Sequence, residues 1–469
     1  MTPGDEALAA SSPDPVRALG EQLERCGFVG TSLPEALGAP EPLATLAALF
    51  GLGSAVPGSA LVGVDPAALE AEGLLAREGE GVRARLRISV WNGLLMAHDA
   101  GGGRPRPDVV PVPRESAQTL AHLTIRRPGQ TVLDLGSGCG PQALLAAGHA
   151  DRVVATDINP RAAALSRLSA RLNGLGTVEA RVGDLFEPVA GERFGLLVSN
   201  PPYVISPDTD LLFRDSGLAP GELCRRIVGG AGEHLEEGGV ASVLCSWGTS
   251  AGSSRWDVPR EWVEGSGCDV CAISYGPEDV VHYASRWTPL SAGALGAQAQ
   301  AEAIARWVRF YSEAGIEAIW FGVLVLRRRS GAANWFAGLD ATRPPRRPGG
   351  PQLERIFAAQ DALADMPEDA LLERALVPAA RHRLVHALDW DGKGYELADV
   401  RLVLEDDIGI DGAVDPPAIH VLLALDGRPV REVVRAVAAE RGFDEAWLAA
   451  GSLPSLRRLY GRGFLVLSS

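Results

Sequence analysis

Two short stretches carry residues whose types and spacing suit chemistry. The first is Thr131-Val-Leu-Asp-Leu-Gly-Ser-Gly-Cys-Gly140. An apolar run leads into three alternate glycines, Gly136, Gly138 and Gly140. Glycine there lets the backbone turn tightly and approach a ligand closely. Asp134 stands inside the turn, where a carboxylate would repel a pyrophosphate but suits a cationic amino-acid end. The spacing is G-x-G-x-G and not the G-x-G-x-x-G of dinucleotide sites, which argues against a nicotinamide. A plain strand-to-helix turn is the alternative. Asp157 closes the next strand-like run, 21 residues after Gly136, where a carboxylate can accept both hydroxyls of a ribose.

The second stretch is Val198-Ser-Asn-Pro-Pro-Tyr-Val204. Two prolines fix the chain and remove two backbone donors. Acceptors remain: the Asn200 side-chain oxygen and the Pro201 carbonyl, which can hold the two hydrogens of a planar –NH2 group. Tyr203 offers a flat face for a base or amide. Alone, such a tetrapeptide can be an ordinary turn. At the C-terminal end of a parallel strand it stands where α/β folds bind ligands.

Other signals are weaker. Cys268-Asp-Val-Cys271 has no second pair or histidine at metal spacing, so two strand cysteines are expected. His382 and His386 lie four apart on an expected helix without an acidic or cysteine partner, so a solvated face is expected. Asp389-x-Asp391-Gly392 is rejected as a calcium loop because Lys393 takes the place of an acidic ligand. No metal site is expected. Phe213-Arg214-Asp215-Ser216-Gly217 reads equally as a substrate lid or a surface loop.

The elements that must position these residues alternate. Strands are expected at Thr131–Leu135, Arg152–Asp157, Val178–Val182, Phe194–Ser199, Gly239–Ser246, Val270–Tyr275 and Ala318–Leu326, with helices such as Arg161–Asn173, Glu222–His234 and Gln298–Glu313 between them. That pattern predicts an α/β fold with a seven-stranded, mainly parallel, doubly wound Rossmann-like sheet. Before it, helices at 43–50 and 65–75 and a strand-like run at 82–90 suggest a small winged-helix-like unit. Beyond the segment at 343–349, helices at 417–425, 430–440 and 453–460 and a strand at 463–467 suggest another. The expected domains are 1–110, 111–340 and 351–469, with Gly- and Pro-rich connectors.

These residues resemble the class I S-adenosylmethionine-dependent methyltransferases, and Asn-Pro-Pro-Tyr points to their amino-methylating branch. That branch includes protein-glutamine methyltransferases acting on release factors and adenine-N6 and guanine-N2 nucleic-acid methyltransferases. The resemblance covers about residues 112–328. The arrangement with flanking domains is similar to a bacterial group of such enzymes. Val112-Pro-Arg-Glu-Ser-Ala-Gln-Thr119 shares only a Pro-Arg pair with glutamine methyltransferases, so the acceptor stays open. The resemblance implies that Asp134, Gly136, Gly138 and Gly140 surround the methionine part of S-adenosyl-L-methionine. It implies that Asp157 binds the ribose, Ile158 packs on the adenine, and Asp184 with Leu185 reads the adenine amino group. Asn200, Pro201 and Tyr203 would hold the target nitrogen, Asn200 also lying beside the cofactor.

Three functions compete: N-methylation of a macromolecule (protein glutamine or an RNA base), methylation of a small molecule, and a winged-helix regulator that senses the cofactor. The 469 residues carry 44 basic and 59 acidic groups, a formal charge of −15, so non-specific nucleic-acid binding is not expected. Residues 351–469 hold 20 acidic against 13 basic residues, which argues against a phosphate-gripping recognition helix. All basic side chains but Lys393 are arginine, a coding bias. Met1–Leu19 lacks the basic start of an export signal, no run reaches the roughly 18 apolar residues of a membrane span, and six scattered cysteines suit reduced thiols. A cytoplasmic chain is expected. Acceptor and oligomeric state stay open.

Overall fold

The computed structural model describes residues 14–101, 106–292, 296–331, 333–379 and 381–468. The expectation of no export signal falls mainly on 1–13, and part of the first connector on 102–105, both outside the described residues. Two compact units result. One takes the described residues up to Ala117, Arg127–Glu192 and Asp208–Ser216; the other takes Gln118–Arg126, Arg193–Pro207 and the chain from Gly217. The division runs within the α/β stretch.

In the first unit, helix Pro15–Arg25 is capped by Asp14, whose Oδ1 accepts from the Val16 N–H at 3.0 Å. Its Val16, Leu19 and Leu23 stripe is buried, as the helical period dictates. Helix Pro66–Ala71 is capped by Asp65. A three-stranded sheet has Val56–Pro57, from before the second of these helices, beside Gly81–Ala84 and then Leu75–Glu78. The single strand expected over 82–90 is broken into Gly81–Ala84 and Arg87–Trp91. Arg87–Trp91 then pairs with Leu94–His98 around Asn92 and Gly93, both at positive φ, as a tight hairpin requires.

The α/β part of this unit comprises β1 (Gln130–Leu135), α1 (Pro141–Ala147), β2 (Ala150–Asp157), α2 (Pro160–Leu172) and β3 (Val178–Val182). The three strands are parallel, and Val132, Leu133, Val153 and Val154 are fully buried, as parallel strands covered on both faces should be. Helix α2 also holds the N-terminal part. Its Ser169 hydroxyl accepts from the Ala97 N–H and its C-cap Asn173 exchanges hydrogen bonds with Leu95. Gly20 of the first helix approaches so closely that a Cβ there would stand 1.8 Å from the Leu172 carbonyl oxygen. One apolar core runs from Val16 through Met96 to Leu172.

In the second unit the order of elements is β4 (Phe194–Ser199), α3 (Glu222–Ala231), β5 (Leu235–Thr249), α4 (Asp257–Val263), β6 (Cys268–Asp279), α5 (Val280–Ala292), α6 (Ala297–Glu313), β7 (Ala318–Arg328) and β8 (Phe336–Asp340). Their order across the sheet is β4-β5-β7-β6-β8. All seven expected strands therefore form, and β8 is an eighth that the sequence reading did not contain. Strand β7 is antiparallel to both β5 and β6, whereas β4 with β5 and β6 with β8 pair in parallel, so the one reversed strand makes an otherwise parallel arrangement mixed. One crossover helix returns the chain to its starting edge; α5 and α6 in succession carry it back, and β7 enters reversed. The result is an α/β, Rossmann-like alternation.

The Pro-Arg segment at 343–349 is anchored. Arg343 pairs with Asp407 at 2.7 Å, the Gly349 N–H donates to the His122 carbonyl, and His122 Nδ1 meets the Pro345 carbonyl at 3.0 Å. The helix that follows, Gly350–Ala364, presents Asp361 to Arg327 of β7 and to the Trp335 indole N–H. The expected C-terminal helices appear at Pro416–Leu423, Val430–Arg441 and Glu445–Gly461. Residues 382–404 form a hairpin, His382–Trp390 against Tyr395–Leu404. His382 and His386 thus lie on a strand, not on the expected helix; the β-branched and aromatic residues around them favour extended chain. No helix among the described residues is long and apolar enough to cross a membrane.

Candidate active site

The glycine turn sits between β1 and α1, within the first unit. Gly136, Gly138 and Gly140 all take positive φ, 72°, 58° and 91°. They do different work. A Cβ added at Gly136 or Gly138 would meet nothing within 4 Å, whereas one at Gly140 would meet the Ser166 hydroxyl of α2 at 2.7 Å. Two glycines thus border open space and the third allows close helix packing. The turn is tied to β2: the N–H groups of Gly136 and Ser137 both donate to the Thr156 carbonyl, at 2.8 and 2.9 Å.

Asp134 and Asp157 are brought together by this tie. Asp134 Oδ2 accepts from the Ala143 N–H in the first turn of α1 (2.9 Å), where the helix end favours an anion. Burial nevertheless dominates and pushes its carboxyl up to about 7, with the nearby Asp157 adding to the rise. Asp157 is half-buried. Its Oδ2 accepts from the Gly138 N–H and its Oδ1 from the Asn159 N–H, both at 2.9 Å. Desolvation still raises it above the usual carboxylate range against those two donors. The Ser137 hydroxyl is buried in the turn with no hydrogen-bond partner among the described residues, as is that of Thr156. Orphaned polar atoms of this kind call for a ligand or water.

Ile158 follows Asp157 and is 58% exposed, an apolar side chain standing free at a strand end. Asp184 and Leu185 follow β3. Leu185 takes a positive φ of 45°, and the Gly183 N–H donates to the Asp157 carbonyl at 3.1 Å. The expected cofactor residues Asp134, Gly136, Gly138, Gly140, Asp157, Ile158, Asp184 and Leu185 therefore share the C-terminal ends of β1–β3. Cys139 is buried beside them, and its thiol is pushed up to about 12 by desolvation, so it is no nucleophile.

Asp208–Ser216 also belongs to the first unit. It is pinned, not a free surface loop. Arg214, 1% exposed, lies 2.7 Å from Asp215 and 3.4 Å from Asp208. The Leu212 N–H donates to the Pro107 carbonyl at 3.1 Å, and Asn159 donates to the neighbouring Asp108 carbonyl at 2.9 Å.

Asn200, Pro201 and Tyr203 fall in the second unit, directly after β4. The chain from Asn200 to Ile205 has no regular hydrogen-bonded structure. The Tyr203 ring lies 5.2 Å from that of Phe321 on β7, which stacks in turn on Tyr275 of β6. Val204 and Ile205 are buried against α5 and α6. These helical contacts were invisible to motif reading, because they come from positions about eighty to a hundred residues onward.

Cys268 and Cys271 are buried on β6 with free thiols, and no cluster of three or more metal-binding side chains occurs among the described residues. Asp391 accepts from the N–H groups of Lys393 and Gly394, which makes it a hairpin-turn residue.

Residues 115–247 match the family model of the methyltransferase small domain. Similar curated proteins include the release factor glutamine methyltransferases of Xylella fastidiosa and Cereibacter sphaeroides. The first is 34% identical over 159 residues, 31% of this chain and 56% of its own; the second is 36% identical over 141 residues, 27% and 50%. The chain thus spans about half the length of these relatives. A solved methyltransferase from Pyrococcus furiosus matches 49% of this chain and 89% of its own, at 16% identity and a TM-score of 0.30, too low to carry an argument.

Proposed function

We propose that the protein is an S-adenosyl-L-methionine-dependent methyltransferase that methylates the side-chain amide nitrogen of a protein glutamine. The observation that carries this reading is the Asn-Pro-Pro-Tyr loop directly after β4, whose remaining acceptors suit a planar –NH2 group. The similarity to release factor glutamine methyltransferases favours glutamine over an RNA base, and so does the formal charge of −15. A small-molecule acceptor and a cofactor-sensing regulator have no specific observation behind them.

The residues of the first unit fit the cofactor. Gly136 and Gly138 border open space, the Ser137 hydroxyl awaits a partner, and two carboxylates suit a ribose and an ammonium. Asp134 with the glycines would hold the methionine end, Asp157 the ribose hydroxyls, Ile158 the adenine face, and Asp184 with Leu185 the adenine amino group. When bound, the cofactor supplies an electrophilic methyl on a sulfonium.

An amide nitrogen is a poor nucleophile because its lone pair is delocalised. Asn200 Oδ1 and the Pro201 carbonyl each accept one N–H hydrogen, which favours electron density on nitrogen and fixes its direction. Displacement at a methyl group is in-line, so alignment contributes heavily to rate. No base is needed before transfer, since the proton leaves the nitrogen afterwards. The flanking regions, read as winged-helix-like, would present the protein acceptor, and the chain would work in the cytoplasm.

The test is incubation with isotope-labelled S-adenosylmethionine and separate pools of protein, RNA and small metabolites. Label on a glutamine side chain, located by fragment mass spectrometry, is expected. Label confined to RNA or to a metabolite would overturn the acceptor, and no transfer with tight cofactor binding would favour the sensor.

A further inference from the structure

Ile205, two residues beyond Tyr203, lies in a buried stretch without regular structure, so its backbone groups need partners from elsewhere. Two tyrosines supply them. The Ile205 N–H donates to the Tyr283 hydroxyl of α5 at 3.1 Å, and the Tyr311 hydroxyl of α6 donates to the Ile205 carbonyl at 2.8 Å. Both rings are buried, 1% and 0% exposed, and meet edge-on with centroids 6.1 Å apart. Trp307, also fully buried, packs edge-on against Tyr311 at 6.4 Å. The apolar cluster of this helix pair is built around Val204, Ile205 and these three rings.

We infer that Tyr283 and Tyr311 are positioning residues that clamp the Asn200–Tyr203 loop in the geometry needed to hold the acceptor amide. The inference rests on the function proposed above. Pro201 and Pro202 fix φ at two of the residues between Asn200 and Ile205, so a fixed Ile205 backbone constrains where the Asn200 oxygen and Pro201 carbonyl can lie. The Tyr203 ring against Phe321 gives the second hold. Burial raises the Tyr283 hydroxyl well above its ordinary value, so it stays neutral across the working pH range. The pair α5–α6, which also reverses β7, thereby gains a role in the reaction without touching the reacting atoms.

Tyr283→Phe and Tyr311→Phe each remove one hydroxyl and keep the ring. Trp307→Phe trims the packing of the same cluster and leaves both hydroxyls in place. Hydrogen exchange is read on the peptide holding Ile205, together with kcat, acceptor KM and S-adenosylmethionine affinity in the full chain. Each Tyr→Phe variant should speed exchange of that peptide and lower kcat about fivefold, the worth of one hydrogen bond. The double variant should lose more, and cofactor affinity should stay within about twofold. Trp307→Phe should lower the melting temperature with kcat near normal. Unchanged exchange in both Tyr→Phe variants would overturn the clamp. Faster exchange with unchanged kcat would overturn its role in the reaction. If the unaltered protein methylates no glutamine, the proposed function has failed, and the exchange result still decides the clamp.

Discussion

The glycine turn of the first unit and the Asn-Pro-Pro-Tyr loop of the second are both strand-end loops, yet they are held by different means. The turn is held from within twenty-odd residues, through positive-φ glycines, the Thr156 carbonyl and the Asp157 carboxylate. Its buried hydroxyls at Ser137 and Thr156 have no partner among the described residues. The loop has no regular secondary structure. It takes hold from aromatic side chains far along the chain, on β7, α5 and α6. On the proposed function, the site for a cofactor of fixed shape is encoded in one short stretch, and the site for an incoming amide is tuned in part from distant elements.

The sharpest way to break that comparison is at Asn200. Asn200→Ala removes the proposed acceptor of the target N–H. Turnover on a glutamine acceptor should fall ~10²-fold or more, as when one preorganised polar group leaves a transition-state site. Cofactor affinity, measured by calorimetry, should change much less. Tyr203→Phe keeps the flat ring and should be far milder than Tyr203→Ala. Near-normal turnover in Asn200→Ala, or a methyl found on oxygen or carbon, would remove the amide mechanism and leave the loop as scaffolding.

The next effect belongs to the other region. Asp157→Ala should weaken S-adenosylmethionine binding about tenfold or more, since a charge-assisted hydrogen bond is worth ~1.5–3 kcal/mol. Part of the loss will come from freeing the Gly138 N–H, which Asp157 holds at 2.9 Å. Asp157→Asn, which keeps one acceptor oxygen, should fall between. Calorimetry with unchanged affinity in the alanine variant would remove the ribose assignment. Tighter binding of NADH than of S-adenosylmethionine in the unaltered protein would remove the cofactor altogether.

The same contrast explains what the sequence could and could not reveal. Strands β1 to β7 were legible because apolar runs alternate with helical periods, and the turn was legible because its glycines and carboxylates are local. Strand β8 was missed: Phe336–Asp340 is short and follows a connection containing Asn334 and Trp335 that carries no strand signal. Its pairing with β6 is a long-range fact. The reversal of β7 was missed because a single helix was expected before it, whereas α5 and α6 are two. The 343–349 segment reads as a tether by composition, yet its arginines find Asp407 and Glu405 some sixty residues away. Tyr283 and Tyr311 were missed for the same reason, since nothing local distinguishes a clamping tyrosine from a core one.

The smallest expected effect concerns pH and separates ligand binding from folding at Asp134. Its carboxyl is raised from 3.8 to about 7 in the folded protein, chiefly by burial. Between those values the unfolded chain has lost the proton while the folded one keeps it. This group's contribution therefore favours folding most at pH below about 4 and is lost as pH climbs to about 7, levelling beyond. Binding of a cationic ligand end has the opposite preference, since it favours the ionised carboxylate. S-adenosylmethionine affinity should therefore weaken severalfold, at most about tenfold, between pH 8 and pH 6. Asp134→Asn holds the charge at zero and keeps an oxygen for the Ala143 N–H. It should flatten the pH dependence, bind more weakly at pH 8, and lose the decline in stability between pH 4 and 7. Calorimetry across that range in both proteins reads the first effect and urea denaturation the second. An equally steep pH dependence in Asp134→Asn would move the titrating group elsewhere, with Asp157, also raised by desolvation, the next to test.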